Sequence, residues 1–183
     1  LTAMQFPSIV PVKDINGAYA GNPINDSNNP MGQLSRNKDN KQKRVQALGN
    51  VFANLYVGDF TFKTSFGLDY QNYNIRSFSP TYDEILSTNN TNSLSTSNSF
   101  NYQFSFTNTL NYKKQFGKHH LDAILGQESI EYNYEGFSAS VSEFLYEDLN
   151  FRYLSFGTEN MLNSGSANGW SLNSYFGRVN YNF

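Results

Sequence analysis

The feature that most limits what this chain can fold into is the length of its alternation. Between residues 60 and 71, Phe60, Phe62, Thr64, Phe66, Leu68 and Tyr70 take turns with Thr61, Lys63, Ser65, Gly67, Asp69 and Gln71. A period of two marks a strand whose two faces meet different surroundings. The preceding stretch behaves alike, with Val45, Ala47, Gly49, Val51, Ala53, Leu55 and Val57 on one face and Gln46, Asn50 and Asn54 on the other. Further on, Phe100, Tyr102, Phe104, Phe106, Leu110 and Tyr112 oppose Asn101, Gln103, Ser105, Thr107, Thr109 and Asn111, with Asn108 a misfit on the apolar face. Leu121, Ala123 and Leu125 begin a fourth run that blurs after Gly126, and Tyr175, Gly177, Val179, Tyr181 and Phe183 form a fifth against Ser174, Arg178, Asn180 and Asn182. The spacing predicts an all-β antiparallel meander of about five strands at 42–57, 60–75, 99–114, 119–135 and 170–183.

Strand length then separates the all-β architectures. Sandwich strands run to about 5–6 residues, whereas these alternate for far longer, enough for the roughly 9–11 residues that cross a bilayer as a tilted strand. Connection length points the same way. Gly58 and Asp59 join the first two strands and a few residues around Gln115 to Lys118 join the third and fourth, while the links 76–98 and 136–169 are long. Residues 1–41, with Pro7, Pro11, Pro23, Pro30 and an Asn-Gly pair at 16 and 17, read as a further loop region, expected to be extracellular. Short turns at one end and long loops at the other are the pattern of a transmembrane β-barrel, with short periplasmic turns and long extracellular loops. Five strands cannot close such a barrel, because the smallest have eight. The chain is therefore expected to be a piece of a larger wall.

Composition agrees and closes other routes. Only 15% of the 183 residues are charged, against about 25% in an ordinary soluble domain. The deficit is filled by 26 Asn and 21 Ser. Thirty aromatic residues and a net charge of -2 are the opposite of a disordered composition. Nor is there a basic excess to neutralise phosphates, which argues against nucleic acid as a partner. The absence of cysteine excludes disulfides and thiolate metal sites. The uncharged stretch from Ile85 to Tyr112 is long enough for a membrane helix but holds STNNTNSLSTSNS, whose polar groups hydrocarbon would leave unpaired.

Chemistry-bearing groups are sparse. His119 and His120 are adjacent, so a regular strand points them to opposite faces and they cannot share a metal. No nucleophile and base arrangement or phosphate-cradling glycine pattern is present, so neither an enzyme nor a cofactor is expected. Lys63, Asp69, Asp122, Glu128 and Arg178 fall on the predicted inward positions and are the lumen-facing candidates. Phe144, Tyr146, Phe151, Tyr153 and Trp170 are loop aromatics suited to contacting a ligand or a partner. The acidic residues Asp83, Glu84, Glu143, Glu147, Asp148 and Glu159 read as solvated loop surface, and the basic run Arg36 to Arg44 as a charged loop at a strand end.

Five segments in series, NPMGQLSRNKDNKQKRVQALGN (29–50), FTFKTSFGLDY (60–70), HHLDAILGQE (119–128), FSASVSEFLYEDL (137–149) and SYFGRVNYNF (174–183), resemble the barrel domain of SusC/RagA-like TonB-linked outer-membrane transporters. The resemblance implies a large barrel in the outer membrane of a Gram-negative bacterium, contacting outer-membrane lipids. It implies import of oligosaccharides or peptides with a SusD-like lipoprotein, energised by TonB through an N-terminal part that this sequence does not contain. The alternation to Phe183 also looks like a C-terminal assembly signal, but in the resembling family SYFGRVNYNF is followed by further strands, and an internal position is expected. The competing reading is an all-β glycan-binding domain, soluble or displayed at the surface.

Overall fold

The computed structural model describes residue 4 and residues 6–183. Long strands dominate it. In chain order they are β1 (Lys41–Val57), β2 (Phe60–Ser79), β3 (Tyr82–Glu84), β4 (Ser87–Asn89), β5 (Ser93–Phe116), β6 (His119–Phe144) and β7 (Gly157–Asn182); an α-helix, α1 (Pro30–Asn37), precedes β1, and two 3-10 turns, Leu149–Phe151 and Leu154–Phe156, lie between β6 and β7. The five long strands form one sheet in the order β1-β2-β5-β6-β7, and β3 pairs with β4 as a small separate hairpin.

Several strands run further than alternation predicts. β2 continues to Ser79 rather than 75, β5 begins at Ser93 rather than 99, β6 continues to Phe144 rather than 135, and β7 begins at Gly157 rather than 170. The segments 93–98 and 157–169 lack alternating apolar side chains, so backbone pairing persists where the sequence no longer marks two contrasting faces. The loop expected at 136–169 shrinks to residues 145–156, and the one at 76–98 holds β3 and β4. The region 1–41, expected to be loop, contains α1. Asn29 caps that helix by accepting from Met31 N at 3.0 Å and Gly32 N at 3.3 Å, and Pro30 opens it, a position where its missing N–H costs nothing.

Contacts divide the chain into two units. The first comprises Leu1–Lys43, Asn74–Asn98 and Phe137–Gly165. It owns a small core of Phe78, Leu94, Val141 and Phe144, in which the Phe78 and Phe144 rings meet edge to face at 5.3 Å. Its other centre is polar. Glu84 is 2% exposed, is paired with Arg36 at 2.5 Å and accepts from Asn29 N at 2.7 Å. The Asn29 amide in turn donates to Val12 O at 3.0 Å and Ala20 O at 2.9 Å, so one buried residue ties the N-terminal segment, α1 and the β3–β4 hairpin together. Glu84 and Arg36 are thus interior partners and not solvated loop charges.

The second unit comprises Arg44–Tyr73, Ser99–Gly136 and Ser166–Phe183. Its two hairpin turns, Gly58–Asp59 and Gly117–Lys118, each start on a glycine at positive φ, 58° and 61°. Such a backbone suits glycine best. No fully buried apolar side chain occurs among the described residues of this unit. Both faces of its sheet carry exposed or half-exposed side chains, and the apolar one displays Val45, Leu55, Phe66, Phe106, Leu110, Leu125 and Val179.

Candidate functional site

Contacts across the strands of the second unit define its two faces. On one, Phe60 packs on Tyr112 at 4.7 Å, Phe66 on Phe104 at 5.7 Å, and Phe104 on Tyr102 at 5.2 Å. This is the aromatic face expected from alternation. On the other, Gln46 and Gln71 donate to Asp69 at 3.3 and 3.5 Å, and Arg44 reaches Gln71 at 3.1 Å and lies over the Tyr73 ring. Lys63 sits 5.0 Å from the Phe52 ring centre, so an aromatic that the alternation left unassigned lies on the polar face. Lys113 pairs with Asp122 at 3.4 Å, and Thr107 donates to Glu128 at 3.4 Å.

Direct contacts join these groups into one continuous face. A Cβ on Gly67 would collide with Ser105 Oγ, Thr107 meets Glu128, and a Cβ on Gly126 would collide with the Phe176 ring. Phe176 and Arg178, two apart in β7, share a side. Lys63, Asp69, Asp122, Glu128 and Arg178 therefore all lie on the polar face. Four of the five have a partner within it, and Arg178 extends from the edge strand β7.

The blur after Gly126 has a physical explanation. β6 stays in register, because Asn108 meets Gln127 at 3.1 Å and Thr107 meets Glu128 in adjacent rows. What changes is the chemistry of the faces. Ile130, Tyr132, Tyr134, Trp170 and Leu172 continue the side that carries Glu128 and Phe176. The opposite side, which starts with Leu121 and Leu125, turns polar through Gln127, Ser129, Glu131, Asn133 and Glu135. An amide ladder runs across three strands there, Asn108 to Gln127 and Gln127 to Asn173 at 2.9 Å. Asn108, the one misfit in its strand, is the first rung of that ladder. Along this part of β6 and β7 the two faces exchange character.

The loop aromatics divide. Phe144 is 6% exposed and belongs to the core of the first unit. Tyr146, Phe151, Phe156 and Tyr153 form a chain of ring contacts at 5.2, 5.6 and 6.4 Å on the loop 145–156, and they remain substantially exposed. Two groups pin that loop. Glu147 accepts from Thr81 N at 2.8 Å and from Asn92 Nδ2 at 2.9 Å. Arg152 covers the Phe78 ring at 4.4 Å and pairs with Asp39 at 3.6 Å, and its carbonyl accepts from Arg76. Trp170 is not a loop residue at all: it lies within β7, stacked on Tyr132.

His119 and His120 keep apart. His119 Nδ1 lies 2.5 Å from Tyr181 Oη, and its ring packs on Tyr181 and Phe183. Among the described residues no group of three or more His, Cys, Asp or Glu is placed to hold a metal ion. No helix among them is long and apolar enough to cross a membrane.

No protein-family model matches the chain. Along 100% of its length it is 29% identical to TonB-dependent receptor P3 of Formosa agariphila, covering 18% of that protein. Among solved structures it matches the RagAB peptide transporter with a TM-score of 0.77 at 26% identity, over 93% of this chain and 20% of that one. The chain resembles one stretch of a SusC/RagA-like barrel. The RagAB peptide importer in its closed-closed and open-open states matches equally well, with TM-scores of 0.78 and 0.77. The meander is thus part of a large transmembrane β-barrel, unclosed over these residues, and it spans about a fifth of the length of the relatives it matches. Those relatives are a receptor and a transporter, not enzymes.

Proposed function

We propose that the chain is a section of the barrel wall of a TonB-dependent outer-membrane importer of nutrients, oligosaccharides or peptides, that works with a SusD-like lipoprotein. The likeness along the whole chain to a TonB-dependent receptor, and over 93% of it to a peptide transporter, carries this reading. In it, the face with Phe66 and Phe104 meets lipid, and the face with Lys63, Asp69, Asp122, Glu128 and Arg178 meets a watery lumen. The physical support is the exposed aromatic side, which water alone would cover poorly, and the self-paired charges on the other. An Arg on the lipid side near mid-bilayer would cost roughly 2–4 kcal/mol. The end with the two tight turns is periplasmic. Residues 1–41 and the loop 145–156 lie at the extracellular end, where Tyr146, Phe151 and Tyr153 offer a pre-organised surface to the lipoprotein.

Two measurements test this reading. The full-length protein should stay with the outer membrane until detergent is added, and its release into the soluble fraction without detergent would overturn the proposal. Deleting its gene, or removing TonB function, should reduce uptake of a labelled peptide or oligosaccharide mixture to the same extent. Uptake that ignores both would refute import.

A further inference from the structure

The exchange of faces leaves an apolar strip where the rest of the polar face carries amides and hydroxyls. β5 contributes Asn101, Gln103, Ser105, Thr107, Thr109 and Asn111 to that side. Beside them, β6 and β7 contribute Tyr132 and Trp170, then Ile130 and Leu172, before Glu128 and Ser174 end the apolar run on that side. From Trp170 to Leu172 the strip is roughly 7 Å long at 3.3–3.4 Å per residue and two strands wide, about 10 Å. It has a defined head. The Trp170 and Tyr132 rings stack at 5.8 Å with planes 20° apart, and Asn101 Nδ2 donates to Tyr132 Oη at 3.5 Å. Trp170 nevertheless stays 50% exposed. Beyond Glu128 and Ser174, Phe176 covers Gly126, where a Cβ would strike its ring.

We infer that Trp170, backed by Tyr132 and flanked by Asn101, is an inner-wall subsite for a flat ring with an apolar face and a polar edge. Such a ring is offered by a pyranose or by an aromatic side chain of a peptide. The inference rests on the lumen assignment proposed above and names a contact within it. The ring face packs on the open side of Trp170, and the polar edge reaches the amide and hydroxyl column of β5. Stacking of this kind tolerates many solutes, because any flat ring presents such a face. The strip's size selects the occupant. A stable protein contact needs about 800 Å² on each partner, and a strip roughly 7 by 10 Å has room for about one ring.

The test uses the full-length receptor in detergent, loaded separately with a tryptic digest of casein and with a partial hydrolysate of plant polysaccharide, retained species being read by mass spectrometry. Trp170→Ala should retain about fivefold to tenfold less of the ring-bearing species bound by wild type, and Trp170→Phe should restore most of it. Ser171→Ala, on the opposite face, should match wild type. Retention of oligosaccharides marks the sugar as the source of the ring, and selective retention of peptides containing Phe, Tyr or Trp marks the peptide. Three results would overturn the inference: equal retention by Trp170→Ala, retention independent of ring content, or a loss seen only as lower yield of assembled receptor, which would place the strip against another part of the protein. Uptake separates the two levels. If gene deletion abolishes uptake while Trp170→Ala leaves retention and uptake intact, the subsite fails and the importer stands; if deletion leaves uptake unchanged, the importer reading fails.

Discussion

The two units of this chain are held together in opposite ways. The first has an interior of its own: four buried apolar side chains, and a buried carboxylate clamped by Arg36 and by the Asn29 N–H. The second has no such core, and nearly all its side chains look outward from a sheet with two contrasting faces. In the proposed barrel, what stabilises the second comes from outside the sheet, from lipid on one side and water or solute on the other. The first carries its stabilising contacts with it. Mutations should consequently act on different observables in the two regions, assembly into the membrane in one and local stability in the other.

The largest effect is expected on the aromatic side of the second unit, the side proposed to meet lipid. Phe104→Arg in the full-length protein should abolish recovery in the outer membrane, whereas Ser105→Arg, one residue along and on the other face, should assemble near the wild-type level. Membrane fractionation with a folded-barrel gel shift reads both, and equal tolerance at the two positions would erase the distinction between faces.

Next comes the polar centre of the first unit. Glu84→Ala strands the Arg36 guanidinium, whose side chain is only 14% exposed, and loss of one partner of a buried pair costs about 3–5 kcal/mol. Hydrogen exchange should accelerate in α1 and in β3–β4 while the strand segments of the second unit keep their protection. Uniform acceleration would show that the two regions do not differ in this way. Phe144→Ala should cost about 3–5 kcal/mol and loosen the same unit without changing membrane recovery. Smaller still, Gly126→Ala pushes the Phe176 ring off the sheet and should cost about 1–3 kcal/mol, the usual range for overpacking, visible as a lower melting temperature of the assembled protein.

The same contrast explains what the sequence could and could not reveal. Alternation from Phe60 to Gln71 and from Phe100 to Tyr112 is imposed by two unlike surroundings, so those strands, their faces and the five charged candidates on one face were readable in order. In the segments 93–98 and 157–169 the backbone keeps pairing but the side chains no longer mark two contrasting faces, and the strands vanish from the pattern. Glu84 looked like any loop acid because its partner lies 48 residues away, and no local signal encodes that distance. α1 did leave a trace: Asn29 followed by Pro30 is a cap and first-turn pair, hidden among turn-forming residues. Trp170, the first residue of the strand expected at 170–183, was grouped with the loop aromatics because no alternation precedes it, whereas β7 begins at Gly157. The exchange of faces along β6 and β7 is visible only once the cross-strand partners are known.

The most direct test of the two-faced wall is accessibility by alternation. Single cysteines introduced in a cysteine-free full-length receptor as Ser65→Cys, Phe66→Cys, Phe104→Cys and Ser105→Cys are exposed, in intact outer membranes, to a charged thiol reagent that does not enter hydrocarbon. Positions 65 and 105 should label, and positions 66 and 104 should stay unlabelled until detergent strips the lipid. Labelling of all four before detergent, or of 66 and 104 alone, would contradict the assignment of these faces.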